Sequence, residues 1–239
     1  MAEYDFVAGR VEGLRERIAA ACARSGRRPE EVELLAVTKF HPAEAVLAAY
    51  GAGLRSFGES RVQEAEAKLP SIRGELPGAR LDMIGHLQGN KAKKAAALFD
   101  RVQSVDSVEL ARALGERARA AGRRIEILLE LHTGEESKEG FESLDELQRG
   151  RDAVLECPAL TLRGLMTMAP FGMDVAAVRS SFRKLRAAFE LIRSDLAPGP
   201  GREAFDTLSM GMSGDFEQAV EEGSTLVRIG TALFGERSR

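Results

Sequence analysis

A lysine closes one of the most apolar short segments of the chain. Residues 34–39 read Leu-Leu-Ala-Val-Thr-Lys, a pattern typical of a buried parallel strand that ends in a basic side chain. In a parallel barrel, ligands bind at the carboxyl ends of the strands, so Lys39 is predicted to lie beside a ligand site. Partial desolvation there favours the neutral amine, which attacks aldehydes. The alternative interpretation is a solvated lysine at a strand end.

Two later segments combine glycines with hydroxyl side chains. Residues 209–215 read Ser-Met-Gly-Met-Ser-Gly-Asp before a predicted helix, and residues 228–231 read Arg-Ile-Gly-Thr at the end of a predicted strand. Glycine permits close backbone approach, and amides and hydroxyls donate hydrogen bonds to phosphate. Each segment alone also fits an ordinary helix cap or turn. Together they favour a phosphate site, because barrels often bind phosphate after strands seven and eight.

Arg228 lies inside the last predicted strand, where alternation places it on the same face as Leu226 and Gly230. A buried arginine requires a partner. That partner is either a ring nitrogen or phosphate of a ligand, or a carboxylate inside the fold.

The three histidines of the chain, His41, His86 and His132, all fall near predicted strand ends. Three imidazoles at one rim would be able to hold zinc, but the spacings typical of zinc ligands are missing. We therefore predict no metal site and interpret the histidines as residues of the rim or of a helix start.

Strand-like and helix-like segments alternate eight times after an N-terminal helix, which is indicated by Val7, Val11, Leu14, Ile18 and Ala21 on one face. The predicted strands cover residues 33–39, 55–58, 81–86, 101–105, 124–132, 160–168, 205–210 and 225–230. The predicted helices cover residues 42–50, 62–72, 91–99, 108–121, 144–157, 175–194 and 216–222, with a short eighth at 234–239; residues 197–201 are predicted to form a loop.

This alternation predicts an α/β fold, a (β/α)8 TIM-type barrel with an extra N-terminal helix. Residues 1–239 are expected to form a single domain, because barrels of about this length fold as one unit. An open, doubly wound sheet is the alternative.

Composition limits the partners and the compartment. Lysine and arginine (34) nearly balance aspartate and glutamate (37), for a net charge of −3, which argues against nucleic acid as a partner. Two cysteines without metal spacing predict a reduced, cytoplasmic protein. No apolar run reaches membrane-spanning length, and residues 1–5 do not resemble a signal peptide.

Seven motifs in order resemble the pyridoxal phosphate homeostasis protein family, whose barrel is like the N-terminal domain of alanine racemase. They are Ala-Val-Thr-Lys at 36–39, Phe-Gly-Glu-Ser-Arg-Val-Gln-Glu at 57–64, Ile-Gly-His-Leu-Gln-Gly-Asn-Lys at 84–91, Gln-Ser-Val-Asp-Ser at 103–107, Gly-Leu-Met-Thr-Met at 164–168, Leu-Ser-Met-Gly-Met-Ser at 208–213 and Val-Arg-Ile-Gly-Thr-Ala-Leu-Phe-Gly at 227–235.

The resemblance implies pyridoxal 5′-phosphate (PLP) as cofactor, held as a Schiff base on Lys39. It implies that Ser213, Gly230 and Thr231 contact the phosphate and that Arg228 lies near the pyridine nitrogen. The full set of expected cofactor-binding residues is Lys39, Ser60, His86, Met210, Ser213, Arg228, Gly230 and Thr231. Three positions depart from the family pattern: Ser60 and His132 stand where asparagine is usual, and Gly89 stands where serine is common.

The implied role is PLP and amino-acid homeostasis without established catalysis. We expect a monomeric carrier that binds PLP, with amino acids and PLP-dependent apoenzymes as further partners. The first alternative is a racemase-like PLP enzyme with His132 or His86 as base. Against it, no second domain is expected, and Tyr4 and Tyr50 fall in predicted outer helices. The second alternative is a barrel enzyme that binds a phosphate ligand without PLP.

Overall fold

Eight parallel strands form a closed barrel in the computed structural model, which describes residues 4–134, 140–170 and 174–235. Each strand pairs with the next, and the last pairs with the first. The strands are β1 (Glu33–Val37), β2 (Ser56–Glu59), β3 (Arg80–Met83), β4 (Arg101–Val105), β5 (Ile125–Glu130), β6 (Leu160–Met166), β7 (Thr207–Ser209) and β8 (Leu226–Ile229). The predicted (β/α)8 barrel is confirmed, and the open sheet is excluded because a closed barrel has no edge strand.

Helices surround the barrel and alternate with its strands. They are α1 (Val7–Arg24), α2 (Ala43–Gly51), α3 (Val62–Ile72), α4 (Ala92–Leu98), α5 (Val108–Ala120), α6 (Leu144–Leu155), α7 (Val175–Asp195), α8 (Pro200–Ala204), α9 (Phe216–Glu221) and α10 (Thr231–Phe234). The additional helix α1 packs against α2, α9 and α10. Across the described ranges, no helix is both long enough and apolar enough to cross a membrane.

Local signals account for most helix boundaries. The hydroxyl oxygens of Ser107 and Ser143 accept hydrogen bonds from the third residue after each, so these serines are the N-caps of α5 and α6. Gly53, Gly122 and Gly223 follow α2, α5 and α9 with positive φ angles, as expected of helix stops.

Two helix predictions need correction. The segment predicted as a loop at 197–201 runs into α8, because Pro200 occupies the first turn, where its missing amide costs no hydrogen bond. The sequence predicts the last helix at 234–239, but α10 begins at Thr231, with one residue between it and the end of β8, and ends at Phe234. Residues 236–239 lie outside the described part of the chain.

Several strands end earlier than the sequence predicts, so Lys39, His86 and Met168 lie in the loops that follow β1, β3 and β6. At β1 the cause is visible. The Thr38 amide still bonds to the neighbouring strand, at Gly58, but the Thr38 carbonyl oxygen accepts from the Lys68 side chain instead. The chain therefore leaves the sheet one residue before Lys39.

Apolar side chains fill the layer between the barrel and the helices, while the barrel interior is largely polar. Leu35, Val37 and Leu226 form a small apolar cluster inside the barrel, and Ile84 packs against it. Below and beside this cluster, the interior holds fully buried polar residues: Asp82, Arg101, Gln103 and Ser209. Charged groups are thus enclosed by the sheet itself.

The Arg101 and Asp82 side chains form a fully buried ion pair at the amino-terminal end of the barrel. Two parallel hydrogen bonds join them, from Nε to Oδ1 (3.0 Å) and from Nη2 to Oδ2 (2.7 Å). Burial raises the pKa of Asp82, and the positive charge of Arg101 opposes that rise. Burial alone would lower the pKa of Arg101, yet the Asp82 carboxylate holds it above its ordinary value. The pair gives the barrel a charged floor.

Candidate functional site

A cleft of about 570 Å³ lies at the carboxyl ends of the strands. Its volume falls in the range of small-molecule sites. The side chains of Val37 and Ile84, from the interior apolar cluster, contribute to its lining. The other lining residues are Lys39, His41, Ser60, Met168, Ala169, Pro170, Val178, Met212, Ser213, Gly214, Asp215, Arg228, Gly230, Thr231 and Gly235.

Six of the eight expected cofactor-binding residues line this cleft. Those six are Lys39, Ser60, Ser213, Arg228, Gly230 and Thr231. His86 and Met210 do not line it. The Met210 side chain is buried in the core between barrel and helices, because alternation along β7 turns Ser209 inward and Met210 outward. Met212 takes the place in the cleft that was predicted for Met210.

The loop that carries Lys39 is held from behind by a second lysine. The Nζ atom of Lys68, on α3, donates to the carbonyl oxygens of Thr38 and His41, each at 2.8 Å. The same atom lies 2.7 Å from Oε1 of Glu59, the last residue of β2. Lys68 thus fixes the backbone on both sides of Lys39 and Phe40.

Glu59 completes this buried cluster. Its Oε1 also accepts from the Thr38 hydroxyl at 2.6 Å, and its side chain is 1% exposed. Burial raises the pKa of Glu59, while the Lys68 ammonium and the Thr38 hydroxyl oppose the rise. Phe40 adopts a left-handed conformation (φ 65°), and its amide donates to Glu64 of α3. Such a conformation in a non-glycine residue persists only where its surroundings hold it.

The loops after β7 and β8 are joined to each other at another wall of the cleft. The Ser213 hydroxyl oxygen accepts from the Ala232 amide at 3.1 Å. Gly211, with φ 95°, allows the β7 loop to turn tightly, since a Cβ there would lie 2.6 Å from the Cβ of Ala219. Asp215 accepts from the Met212 amide at 2.6 Å instead of capping α9, and burial raises the pKa of Asp215.

Backbone donors collect where these two loops meet. Ser213, Gly214, Gly230 and Thr231 line the cleft, and within the described residues their amide nitrogens have no hydrogen-bond acceptor. The hydroxyls of Ser213 and Thr231 belong to the same wall. This wall therefore offers hydrogen-bond donors to an anion.

Arg228 enters the cleft from β8 and is 4% exposed. Its Nη1 donates to the Ser209 hydroxyl oxygen at 2.6 Å, and its Nη2 donates to the Thr167 carbonyl at 2.8 Å. Burial lowers the pKa of Arg228 to about 10, and the nearby charges of Glu130 and Asp215 limit the drop. The guanidinium is therefore positive at neutral pH.

The three histidines lie in different environments. The His41 ring lines the cleft and packs on Phe234, with ring centroids 4.7 Å apart. The half-exposed His86 places Nδ1 3.1 Å from an Asp106 carboxylate oxygen, and the buried Nδ1 of His132 has no hydrogen-bond partner in the described structure. The residues at 4–134, 140–170 and 174–235 contain no group of three or more His, Cys, Asp or Glu side chains arranged to hold a metal ion.

Comparison with known proteins identifies the family. The family model described as "Alanine racemase, N-terminal domain" matches residues 11–238. A pyridoxal phosphate homeostasis protein of Pseudomonas aeruginosa is 41% identical over 232 residues, covering 97% of this chain and 96% of the relative. The chain belongs to the pyridoxal phosphate homeostasis protein family. The resemblance seen in the seven sequence motifs is confirmed.

Two further relatives support this assignment. The pyridoxal phosphate homeostasis protein of Escherichia coli (strain K12) is 36% identical, with 97% of each chain covered. The solved structure of PipY from Synechococcus elongatus, with PLP bound, superposes on this member of the pyridoxal phosphate homeostasis protein family with a TM-score of 0.78 at 37% identity. The superposition covers 92% of this chain and 99% of PipY.

Sequence reasoning missed four buried polar residues that support the site: Glu59, Lys68, Gln103 and Ser209. One signal was available for Lys68, which interrupts the apolar face of α3 between Ala65 and Leu69. A lysine at such a position is buried only when it is paired. Gln103 and Ser209 lie in the short strands β4 and β7, and the direction in which each side chain faces depends on the register of its strand.

We expect Lys68→Met to destabilise the protein by about 3–5 kcal/mol, because Glu59 would remain buried without its cation. Urea denaturation monitored by circular dichroism would measure the change. Lys94→Met is the matched control, since it removes an exposed lysine that also pairs with a glutamate, Glu66, and should cost about 0.5 kcal/mol or less. Equal costs for the two variants would contradict the proposed role of the buried cluster.

Proposed function

We propose that this chain binds PLP in the cleft as a Schiff base on Lys39 and serves PLP and amino-acid homeostasis as a non-catalytic carrier. The observation that carries the proposal is the position of Lys39 in one cleft with a wall of backbone donors that have no acceptor in the described part of the chain. The PLP-bound structure of the relative PipY supports the same ligand.

The donor set of the cleft suits the cofactor. A phosphate ester requires hydrogen-bond donors and little negative charge, and the amides of Ser213, Gly214, Gly230 and Thr231 offer four donors without an acceptor in the described structure. Among the described lining residues, Asp215 is the one that is acidic; its raised pKa and its bond to the Met212 amide limit its repulsion of an anion. Both features support a phosphate at the β7 and β8 loops.

Lys39 supplies the amine for the covalent link. PLP brings an aldehyde carbon, and its condensation with the Lys39 Nζ forms the C=N bond while the aldehyde oxygen leaves as water. The Lys68 and Glu64 contacts hold the backbone of the Lys39 loop. Lys39 therefore starts from a fixed backbone position at the mouth of the barrel.

Arg228 is proposed to face the pyridine nitrogen. A guanidinium that is positive at neutral pH opposes protonation of that nitrogen, and an unprotonated ring withdraws electrons from the bound amine less effectively. This arrangement favours storage of the cofactor over carbanion chemistry.

A racemase-like function would need an opposing base, and neither tyrosine of the chain is placed to serve as one. Tyr50 donates its hydroxyl to the Pro77 carbonyl at 2.8 Å, and Tyr4 packs beside Phe6 ahead of α1. Neither tyrosine lines the cleft. His86 also lies off the lining, which weakens its candidacy as a base.

The cellular setting is part of the proposal. Free thiols at Cys22 and Cys157 support a reducing compartment, and we propose the cytoplasm. Amino acids and PLP-dependent apoenzymes as partners, and the monomeric state, stay predictions.

We expect sodium borohydride to fix a pyridoxyl group on Lys39, with loss of absorbance near 420 nm. Peptide mapping by mass spectrometry would locate the group. Lys39→Ala should lose the absorbance band yet retain weaker PLP binding through the phosphate wall, whereas Lys94→Ala should behave as wild type. A label on another lysine in the wild-type protein would contradict the assignment.

We expect Thr231→Ala to weaken PLP binding by roughly fivefold, as loss of one hydrogen bond of about 1 kcal/mol would. Pyridoxal, which lacks the phosphate, should bind much more weakly and should not distinguish the variant from wild type. Fluorescence titration with both ligands would measure this. Thr161→Ala, on β6 and outside the cleft lining, is the matched control. Equal affinity for pyridoxal and PLP would count against a phosphate site.

We expect no sustained racemase or transaminase turnover. The test incubates the PLP-loaded protein with L-alanine in deuterated water and follows the α-proton by NMR and the chirality by chromatography. Lys39→Ala with the same amount of PLP measures the background. Exchange at about 1 s⁻¹ or faster, within the usual range of enzymes, would establish the enzyme alternative.

A further inference from the structure

A continuous chain of buried hydrogen bonds connects the charged floor of the barrel to the cleft. It runs from Asp82 through Gln103 and Ser209 to Arg228, across β3, β4, β7 and β8. The Asp82, Gln103 and Ser209 side chains are fully buried. Of these four residues, Arg228 alone lines the cleft.

Each step of this chain is short. Gln103 Nε2 donates to Asp82 Oδ2 at 2.9 Å, and the Ser209 hydroxyl donates to Gln103 Oε1 at 2.6 Å. The Ser209 oxygen in turn accepts from Arg228 Nη1 at 2.6 Å. Both polar atoms of the Gln103 side chain therefore have a hydrogen-bond partner.

The direction of the chain is fixed at its floor. The Asp82 carboxylate is ion-paired with Arg101, and an ionised carboxylate only accepts hydrogen bonds. The Gln103 side chain must therefore turn its amide nitrogen toward Asp82. The Gln103 oxygen must then face Ser209, and because that oxygen only accepts, Ser209 must donate its single proton to it. Ser209 consequently presents a lone pair to Arg228. The guanidinium, which can only donate, matches this arrangement.

We propose that Gln103 and Ser209 are positioning residues, which hold Arg228 so that a remaining N–H points at the ring nitrogen of PLP. This inference rests on the proposed function, in which PLP occupies the cleft. A guanidinium has five N–H donors. The bonds to Ser209 and to the Thr167 carbonyl account for two of them.

Arg228 requires such an anchor because two carboxylates attract it. Glu130 and Asp215 both act on its charge, and Asp215 lines the same cleft. A long arginine side chain has many rotamers, and an unanchored one would turn toward either carboxylate. The bonds that Arg228 donates to Ser209, at the end of β7, and to the carbonyl of Thr167, directly after β6, restrict it to one orientation.

The test compares PLP with 1-deaza-PLP, in which a C–H group replaces the ring nitrogen. Wild type should bind PLP about tenfold more tightly than 1-deaza-PLP, the factor expected of one hydrogen bond to a charged group. Ser209→Ala and Gln103→Leu should reduce that ratio to about one to threefold. Dissociation constants from spectroscopic titration of the purified protein give the ratio.

Ser104→Ala is the matched control, because it removes another buried serine hydroxyl, bonded to the Gly85 carbonyl and outside the chain of bonds. It should keep the wild-type ratio. Ser209→Thr retains a hydroxyl and should restore most of the preference. If Gln103→Leu fails to fold, because Asp82 loses a donor, Ser209→Ala still decides the question.

The outcomes separate the two proposals. If borohydride fixes neither compound on Lys39 of the wild type, the proposed function fails. If both bind but the wild type shows no preference, or Ser209→Ala keeps the full preference, the positioning role of Gln103 and Ser209 is overturned. If Ser104→Ala also loses the preference for PLP over 1-deaza-PLP, the loss reflects general destabilisation of the barrel, and the positioning role is likewise overturned.

Discussion

Charged side chains inside a closed parallel barrel need hydrogen-bond or ion-pair partners in the same interior. The site depends on the partners that this barrel provides for its buried charges. An unpaired buried charge costs several kcal/mol, so a cation at the cleft can be held only by neighbours in the same interior. Arg228 is such a cation. It reaches the cleft because the barrel interior is polar around it, with Ser209 and Thr167 as acceptors and the Asp82–Arg101 pair below.

The cleft is assembled from two supports that are built differently. On one side, Lys68 and Glu59 anchor the Lys39 loop through side chains from α3 and β2. On the other, the β7 and β8 loops hold each other through the Ser213–Ala232 bond and leave backbone donors without an acceptor among the described residues. The Lys39 loop and the donor wall thus rest on different supporting contacts, although β1 and β8 are neighbouring strands and the His41 ring packs on Phe234.

The barrel could be predicted from the sequence alone, because each strand and helix has a local pattern and eight such repeats have one closed arrangement, a parallel barrel. It also pointed to Lys39 and to the two glycine-containing loops, since these follow predicted strands directly. It failed where the answer depended on register. Whether Ser209 or Met210 faces inward is decided by one residue of alternation along β7, and the two residues exchange roles if that parity is misjudged. Lys68, Glu59 and Gln103 matter through partners about 20 to 100 residues away, which no local pattern reveals.

Helix α1 also bears on how the fold is acquired. It packs against α9 and α10, Arg17 pairs with Glu217 at 2.8 Å across 200 residues of sequence, and β1 bonds to β8. Segments synthesised early therefore reach their native contacts only after the last segments are synthesised. The contacts between β1 and β8, which close the barrel, thus have a large sequence separation. Until β8 emerges, the apolar face of α1 and an edge of β1 lack their native cover, and such surfaces are the ones that chaperones engage.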